Sequence, residues 1–182
     1  MIRLCILVCG LLLCLSCLAS SWPDKFDAQI YKASRSYLPG VDWRLYKAQL
    51  IAESGLRVDV VSPVGASGIA QFMPGTWADV SRDLALSGSP FDPQVAIPAG
   101  AFYMAKLRGG WRWRRPERDK HNLALASYNA GFGHVLAAQR LCGDAVLYAD
   151  IVRCLPNVTG RHADETRNYV GRINSLFLVL VR

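Results

Sequence analysis

Residues 49–77, QLIAESGLRVDVVSPVGASGIAQFMPGTW, constrain this chain more than any other stretch. Asp42 is a good helix N-cap, and the helix it opens runs to about Ser54. Tyr46, Leu50 and Glu53 fall at i, i+4 and i+7, which sets a carboxylate on an apolar stripe. Gly55 follows where a helix C-cap favours a left-handed residue. Burial raises a carboxylate's pKa, and the carbonyl end of the helix dipole pushes the same way. Both favour the protonated form that a general acid needs. A helical glutamate is far more often a solvated surface residue, so this spacing alone gives Glu53 no role. Val58, Val60 and Val61 come next, then Pro63 and Gly65-Ala66-Ser67-Gly68. These residues cannot continue a helix and predict an irregular segment or small hairpin. Its glycines permit positive φ and close approach of another chain.

The remaining chain reads as a succession of helices. Phe26, Ile30, Ala33 and Tyr37 share one face of a first helix over 24–38, which Pro39-Gly40 ends. Residues 74–84 form a short helix with Trp77 and Val80 inward. Asp92-Pro93 is an N-cap followed by proline at the first helical position, and that helix restarts at Pro98 and ends at Gly109-Gly110. Residues 122–130 are apolar and helical, Gly131 and Gly133 break them, and 135–141 form another helix. After a cysteine-bounded loop, 163–176 form the last helix, with Tyr169 and Ile173 four apart. The apolar 177–181 is too short to span a membrane and reads as core packing. Strand signals are scarce, so the expected fold is mainly α, with the small irregular or hairpin segment after the Glu53 helix.

Residues 1–20 read as an export signal: Arg3, an apolar run over 4–13, then small residues around Cys17-Leu18-Ala19-Ser20. Leu15-Ser16-Cys17 also resembles the end of a lipoprotein signal, and a retained anchor ranks behind cleavage because the run is short for a span. Residues 21–182 are then one domain, long enough to bury a substantial core. Four of the six cysteines lie in the signal, leaving Cys142 and Cys154, which in an oxidising compartment most simply pair. The net charge of +7 suits an anionic partner without choosing among nucleic acid, membrane surface and acidic wall polymer. WRWRRPERDK, at 111–120, is a basic tryptophan-bearing loop that most simply reads as a solvated face. His121, His134 and His162 lack metal-ligand spacing, and no cofactor is expected.

Three ordered signatures over residues 26–177 resemble the catalytic domain of soluble lytic transglycosylases, the SLT domain, a relative of goose-type lysozyme. The first is Glu53-Ser54 followed by Ser62 and the run from Gly65 to Pro74; it extends over more than twenty positions and is the most specific. The second is Ser127-Tyr128-Asn129-Ala130-Gly131, the third Glu165-Thr166-Arg167-Asn168-Tyr169-Val170. Val58, Val60, Ala70 and Ser127 depart from the usual residues without removing a polar group used in chemistry. The resemblance implies a lysozyme-like helical fold and cleavage of peptidoglycan glycan strands between N-acetylmuramic acid and N-acetylglucosamine. It makes Glu53 general acid and then base, with closure of a 1,6-anhydro ring and no partnered carboxylate nucleophile. Ser62, Gln71 and Met73 would line the saccharide site. Tyr128 and Asn129 would hold the substrate acetamido group and the acid, and Tyr169 would orient Glu53.

A hydrolytic lysozyme keeps the fold and changes the acceptor to water. A non-catalytic glycan-binding component of a secretion or conjugation apparatus would lose the acid, and Glu53 is present. A nucleic-acid partner is disfavoured by export and by the lack of a helix-turn-helix or zinc pattern. Periplasmic or secreted localisation follows, with lipid anchoring as the other outcome and a membrane reached only through the N-terminus. Wall turnover and wall opening for a secretion, conjugation or phage apparatus fit the compact plan equally.

Overall fold

A computed structural model describes residues 22–182; the expected signal or lipoprotein segment over 1–20 lies outside them. The described residues are mainly helical, in the order α1 (Asp27–Tyr37), α2 (Trp43–Ser54), α3 (Pro74–Leu84), α4 (Pro93–Gly110), α5 (Glu117–Ala130), α6 (Phe132–Leu141), α7 (Tyr148–Cys154), α8 (Pro156–Thr159) and α9 (His162–Leu180). Asp42 caps α2, its side chain accepting from the Arg44 amide, and Gly55 ends the helix at φ 66°. α2 packs most extensively against α9, and α1 against α4, with α5 between α4 and α9. Tyr46, Leu50 and Ile51 from α2 meet Ile97 and Met104 from α4, Leu123 and Leu125 from α5, and Val170 and Ile173 from α9 in one core. Each such side chain contributes about 1.5–3 kcal/mol when withdrawn from water. Buried Lys47 pairs with Asp27 at 2.6 Å, joining α2 to α1.

Between α2 and α3 the chain makes two single-residue antiparallel bridges, Val61 with Ser67 and Ser67 with Phe72. This is the small hairpin, reduced to its minimum. Gly68 (φ +74°) shows why glycine is needed: a Cβ there would lie 1.8 Å from the Pro90 carbonyl oxygen. The segment before α4 therefore lies directly on the hairpin backbone.

Several local expectations are corrected. α1 begins at Asp27, three residues later than the sequence suggests. α4 runs through Pro98 without restarting, and the Tyr46 hydroxyl donates to the neighbouring Ile97 carbonyl at 2.6 Å, fastening that turn to α2. The basic stretch is a loop only to Pro116, because Glu117 and Asp119 favour the positive end of α5. Gly131 breaks the chain, but Gly133 sits inside α6. The cysteine-bounded loop contains α7 and then α8 follows it. The apolar 177–181 is only partly core, since successive residues of a helix point different ways and Leu178 and Val179 face outward.

Candidate active site

Glu53 ends α2 on the face that meets α9. The Tyr169 hydroxyl, from the second turn of α9 onward, donates directly to Glu53 Oε1. Burial raises the Glu53 pKa to about 8, while the Tyr169 bond and the Arg172 charge pull it back. Near neutral pH Glu53 therefore holds its proton. Burial first, then the Glu53 charge, hold Tyr169 well above the ordinary phenol range, so it remains a donor. A hydrogen bond from Gln49 acts the other way on Tyr169. Gln49 is buried one turn before Glu53 on the same face of α2. That spacing, a polar residue four before the acid on an apolar stripe, is the signal by which the sequence could have named it.

Tyr128 also feels the Glu53 charge, and burial is the larger reason its hydroxyl resists ionisation. That hydroxyl donates to the Ala70 carbonyl at 2.7 Å, tying α5 to the hairpin. Its ring stands beside Tyr103, 5.2 Å between centroids, and Phe72 at 6.4 Å, forming an aromatic wall. Asn129 is exposed and its Oδ1 accepts from Thr166 Oγ1 at 2.7 Å. In that orientation its amide NH2 faces away from Thr166 as a donor. Thr166 is itself buried, and its role was legible only once α5 and α9 were seen side by side.

The hairpin supplies the other wall. Ser54 Oγ donates to the Ile69 carbonyl at 2.9 Å, pinning the hairpin to the residue after the acid. Gln71 sits at φ 48°, a left-handed conformation, with Nε2 donating to the carbonyls of Gly68 (2.9 Å) and Val60 (3.2 Å). Its amide hydrogens thus stabilise the turn and its Oε1 is left as an acceptor. Ser62 Oγ accepts from the Ala66 amide at 2.9 Å, closing the preceding turn. Met73 is the N-cap residue of α3 and stands out toward solvent. Asp59 is exposed on this loop, and no carboxylate is among the groups acting on the Glu53 pKa. Of the expected site residues only Glu53 and Tyr169 are bonded to each other; Tyr128 reaches the hairpin through the Ala70 carbonyl, Asn129 is tied to Thr166 of α9, and Gln71, Ser62 and Met73 lie on or at the end of the hairpin without a side-chain bond to Glu53.

Cys142 and Cys154 are joined in a disulfide with Cα atoms 5.8 Å apart, fastening the end of α6 to the end of α7. Among the described residues no group of three His, Cys, Asp or Glu side chains could hold a metal ion. No helix among them is long and apolar enough to cross a membrane.

The chain is 31% identical over 139 residues to the membrane-bound lytic murein transglycosylase F of Alteromonas mediterranea, covering 74% of this chain and 29% of that one. The protein of the same name from Marinobacter nauticus is 38% identical over 106 residues, 58% of this chain and 20% of that one. The chain thus spans under a third of the length of the curated relatives it matches. Among solved structures, an inactive Glu-to-Gln mutant of the lytic transglycosylase Slt from Pseudomonas aeruginosa superposes with a TM-score of 0.69 at 26% identity, over 87% of this chain and 24% of that one. The 70 kDa soluble lytic transglycosylase of Escherichia coli, at 24% identity, shares the fold with the same TM-score and coverage. The family described as "Transglycosylase SLT domain" matches residues 30–146, the hairpin, the aromatic wall and the acid included, and the chain belongs to that family.

Proposed function

We propose that this domain is a peptidoglycan lytic transglycosylase acting on the bond from N-acetylmuramic acid to N-acetylglucosamine. The observation that carries the reading is Glu53, held protonated by burial and gripped by Tyr169, with no carboxylate acting on it. Protonated Glu53 gives its proton to the glycosidic oxygen as the bond breaks, and the substrate's own acetamido group assists at the anomeric carbon. The carboxylate so formed takes the proton of the muramyl 6-hydroxyl, whose oxygen closes the 1,6-anhydro ring. Glu53 ends protonated again and no water is consumed. The two-carboxylate plan of most glycosidases is not needed. The structural neighbour from Pseudomonas aeruginosa is described as inactive with glutamine in place of a glutamate, which supports a single essential acid.

In this reading the Asn129 amide and the Tyr128 ring hold the acetamido group, and the Gln71 Oε1, Ser62 and Met73 line the saccharide beside the reacting bond. Tyr169 orients Glu53. The relatives' names, membrane-bound lytic murein transglycosylase, support murein as the substrate and a membrane-anchored setting, and the export signal expected over 1–20 supports a periplasmic one. Wall opening for a secretion, conjugation or phage apparatus would use the same chemistry. Mass analysis of muropeptides released from purified sacculi, with Glu53→Gln in parallel, tests it. Anhydro products lighter by one water than reducing ends, and lost in the mutant, are expected. Reducing ends would instead assign hydrolysis by a lysozyme.

A further inference from the structure

The chemistry at Glu53 leaves the WRWRR segment without a role, and its residues are divided into two sets. Trp111 is 2% exposed, packs on Phe132, and donates from Nε1 to Ser127 Oγ at 3.2 Å. Arg115 stacks over the Trp111 ring, its guanidinium 5.1 Å from the centroid. The same guanidinium donates to the Trp113 carbonyl at 3.2 Å and to the Val146 carbonyl at 3.0 Å. Trp111 and Arg115 are thus structural, and they clamp residue 113 beside residues 146–147.

The second set faces water. Trp113 is 50% exposed and Leu147 43% exposed. Leu147 is held on both sides, by the Arg115 bond to Val146 and by the Tyr148 amide bond to Asp119 Oδ1 at 2.8 Å. Arg112 and Arg114 flank Trp113, and Arg118 lines a cavity with Tyr148 next to Leu147. Among the described residues none of these three arginines makes an ion pair. The nearby acids are already engaged, Glu117 with Arg108 and Asp119 with the Tyr148 amide. The result is a pinned platform that carries an exposed indole and an exposed aliphatic side chain, with three exposed arginines that make no ion pair in the same stretch of surface.

We infer that this platform docks the domain on an anionic phospholipid bilayer surface. Tryptophan favours the headgroup level of a bilayer, where its ring is half in an apolar medium. Arginines beside it reach lipid phosphates while their stems stay apolar. A wall polymer or a nucleic acid would use the charge and could stack on Trp113, but gives Leu147 nothing to enter. The inference is independent of the reaction assigned to Glu53, and its failure would leave that reading intact.

The test uses residues 22–182, whose helices close one core, with vesicles of phosphatidylglycerol and phosphatidylcholine, and with phosphatidylcholine alone. Binding to the anionic vesicles only is expected. Arg112→Gln with Arg114→Gln should weaken it about 25-fold, roughly fivefold for each arginine near an anionic surface. Lys32→Gln with Arg35→Gln, two exposed cations on α1, removes the same charge and should leave the affinity within about twofold. Brominated lipid should quench tryptophan emission in the wild type, and Trp113→Ala should lose that quenching while its release of muropeptides from solubilised glycan chains is unchanged. The proposal is overturned by absence of vesicle binding, by equal loss in the α1 pair, or by quenching that survives Trp113→Ala.

Discussion

Glu53 reaches a pKa of about 8 from an ordinary 4.5 because burial outweighs both the Tyr169 bond and the Arg172 charge. The folded protein therefore holds a proton that the unfolded chain releases between those values. The stability linked to that proton is complete below pH 4.5 and is lost as pH rises through about 8. Glu53→Gln removes the titration. It should abolish product release while raising the melting temperature at pH 8 by about 2–4 °C for each kcal/mol of linked stability, and by less at pH 5, in paired thermal scans. Tyr169→Phe removes a donor that favours the carboxylate, so the Glu53 pKa should rise further. The alkaline limb of the rate profile should then move upward while the rate falls about 10- to 100-fold, because the acid is also less well oriented. An unmoved limb would show that Tyr169 only packs. Glu53 was legible in the sequence from its stripe, its C-cap and the motif after it. Gln49 and Thr166 were given no role: the partner of each lies more than thirty residues away, although the position of Gln49 four residues before Glu53 on the stripe is a local signal.

At the scale of elements, the hairpin is held by backbone contacts that leave no room for change. Gly68→Ala would combine a left-handed φ with a Cβ 1.8 Å from a backbone oxygen. Such strain costs about 1–3 kcal/mol, readable as a lower urea midpoint. It should also lower kcat/KM, since Gln71 and Phe72 ride on the same turn. Replacing Cys142 and Cys154 by serine opens the link between α6 and α7 and should cost on the order of 3 kcal/mol in denaturant unfolding. The order of the longer helices followed from periodicity and caps and the pairing of these cysteines from an expected oxidising compartment, whereas α7 and α8 were read as loop. Helix ends followed less well: Pro98 and Gly133 look like breaks, but tertiary contacts carry α4 and α6 through them.

Across the whole molecule, the core also encloses a histidine that ties stability to acidity. His121 is 3% exposed and its Nδ1 lies 3.1 Å from the Arg108 guanidinium. Burial first, then the Arg108 charge, lower its pKa from 6.5 to about 3. The unfolded chain takes up that proton below pH 6.5 and the folded chain resists it to about pH 3, so stability falls as pH drops through that window. His121→Gln keeps an acceptor for Arg108 without titrating. It should reduce the slope of unfolding free energy by about 1.4 kcal/mol per pH unit between pH 6 and 4, in urea titrations at stepped pH.

By itself the sequence determined the helical class, a carboxylate on an apolar stripe at a helix end, and the small-residue turn that follows it. These depend on local rules of periodicity, capping and backbone freedom, which act within a few residues. Local rules do not reach what surrounds that carboxylate; the family resemblance implied it, and the tertiary structure decided it. Tyr169 stands 116 residues from Glu53 and Tyr128 58 residues from the Ala70 carbonyl it binds. It also decided that, of two tryptophans two residues apart, Trp111 is core and Trp113 is surface. Burial is a property of what packs around a side chain, and no local pattern encodes it.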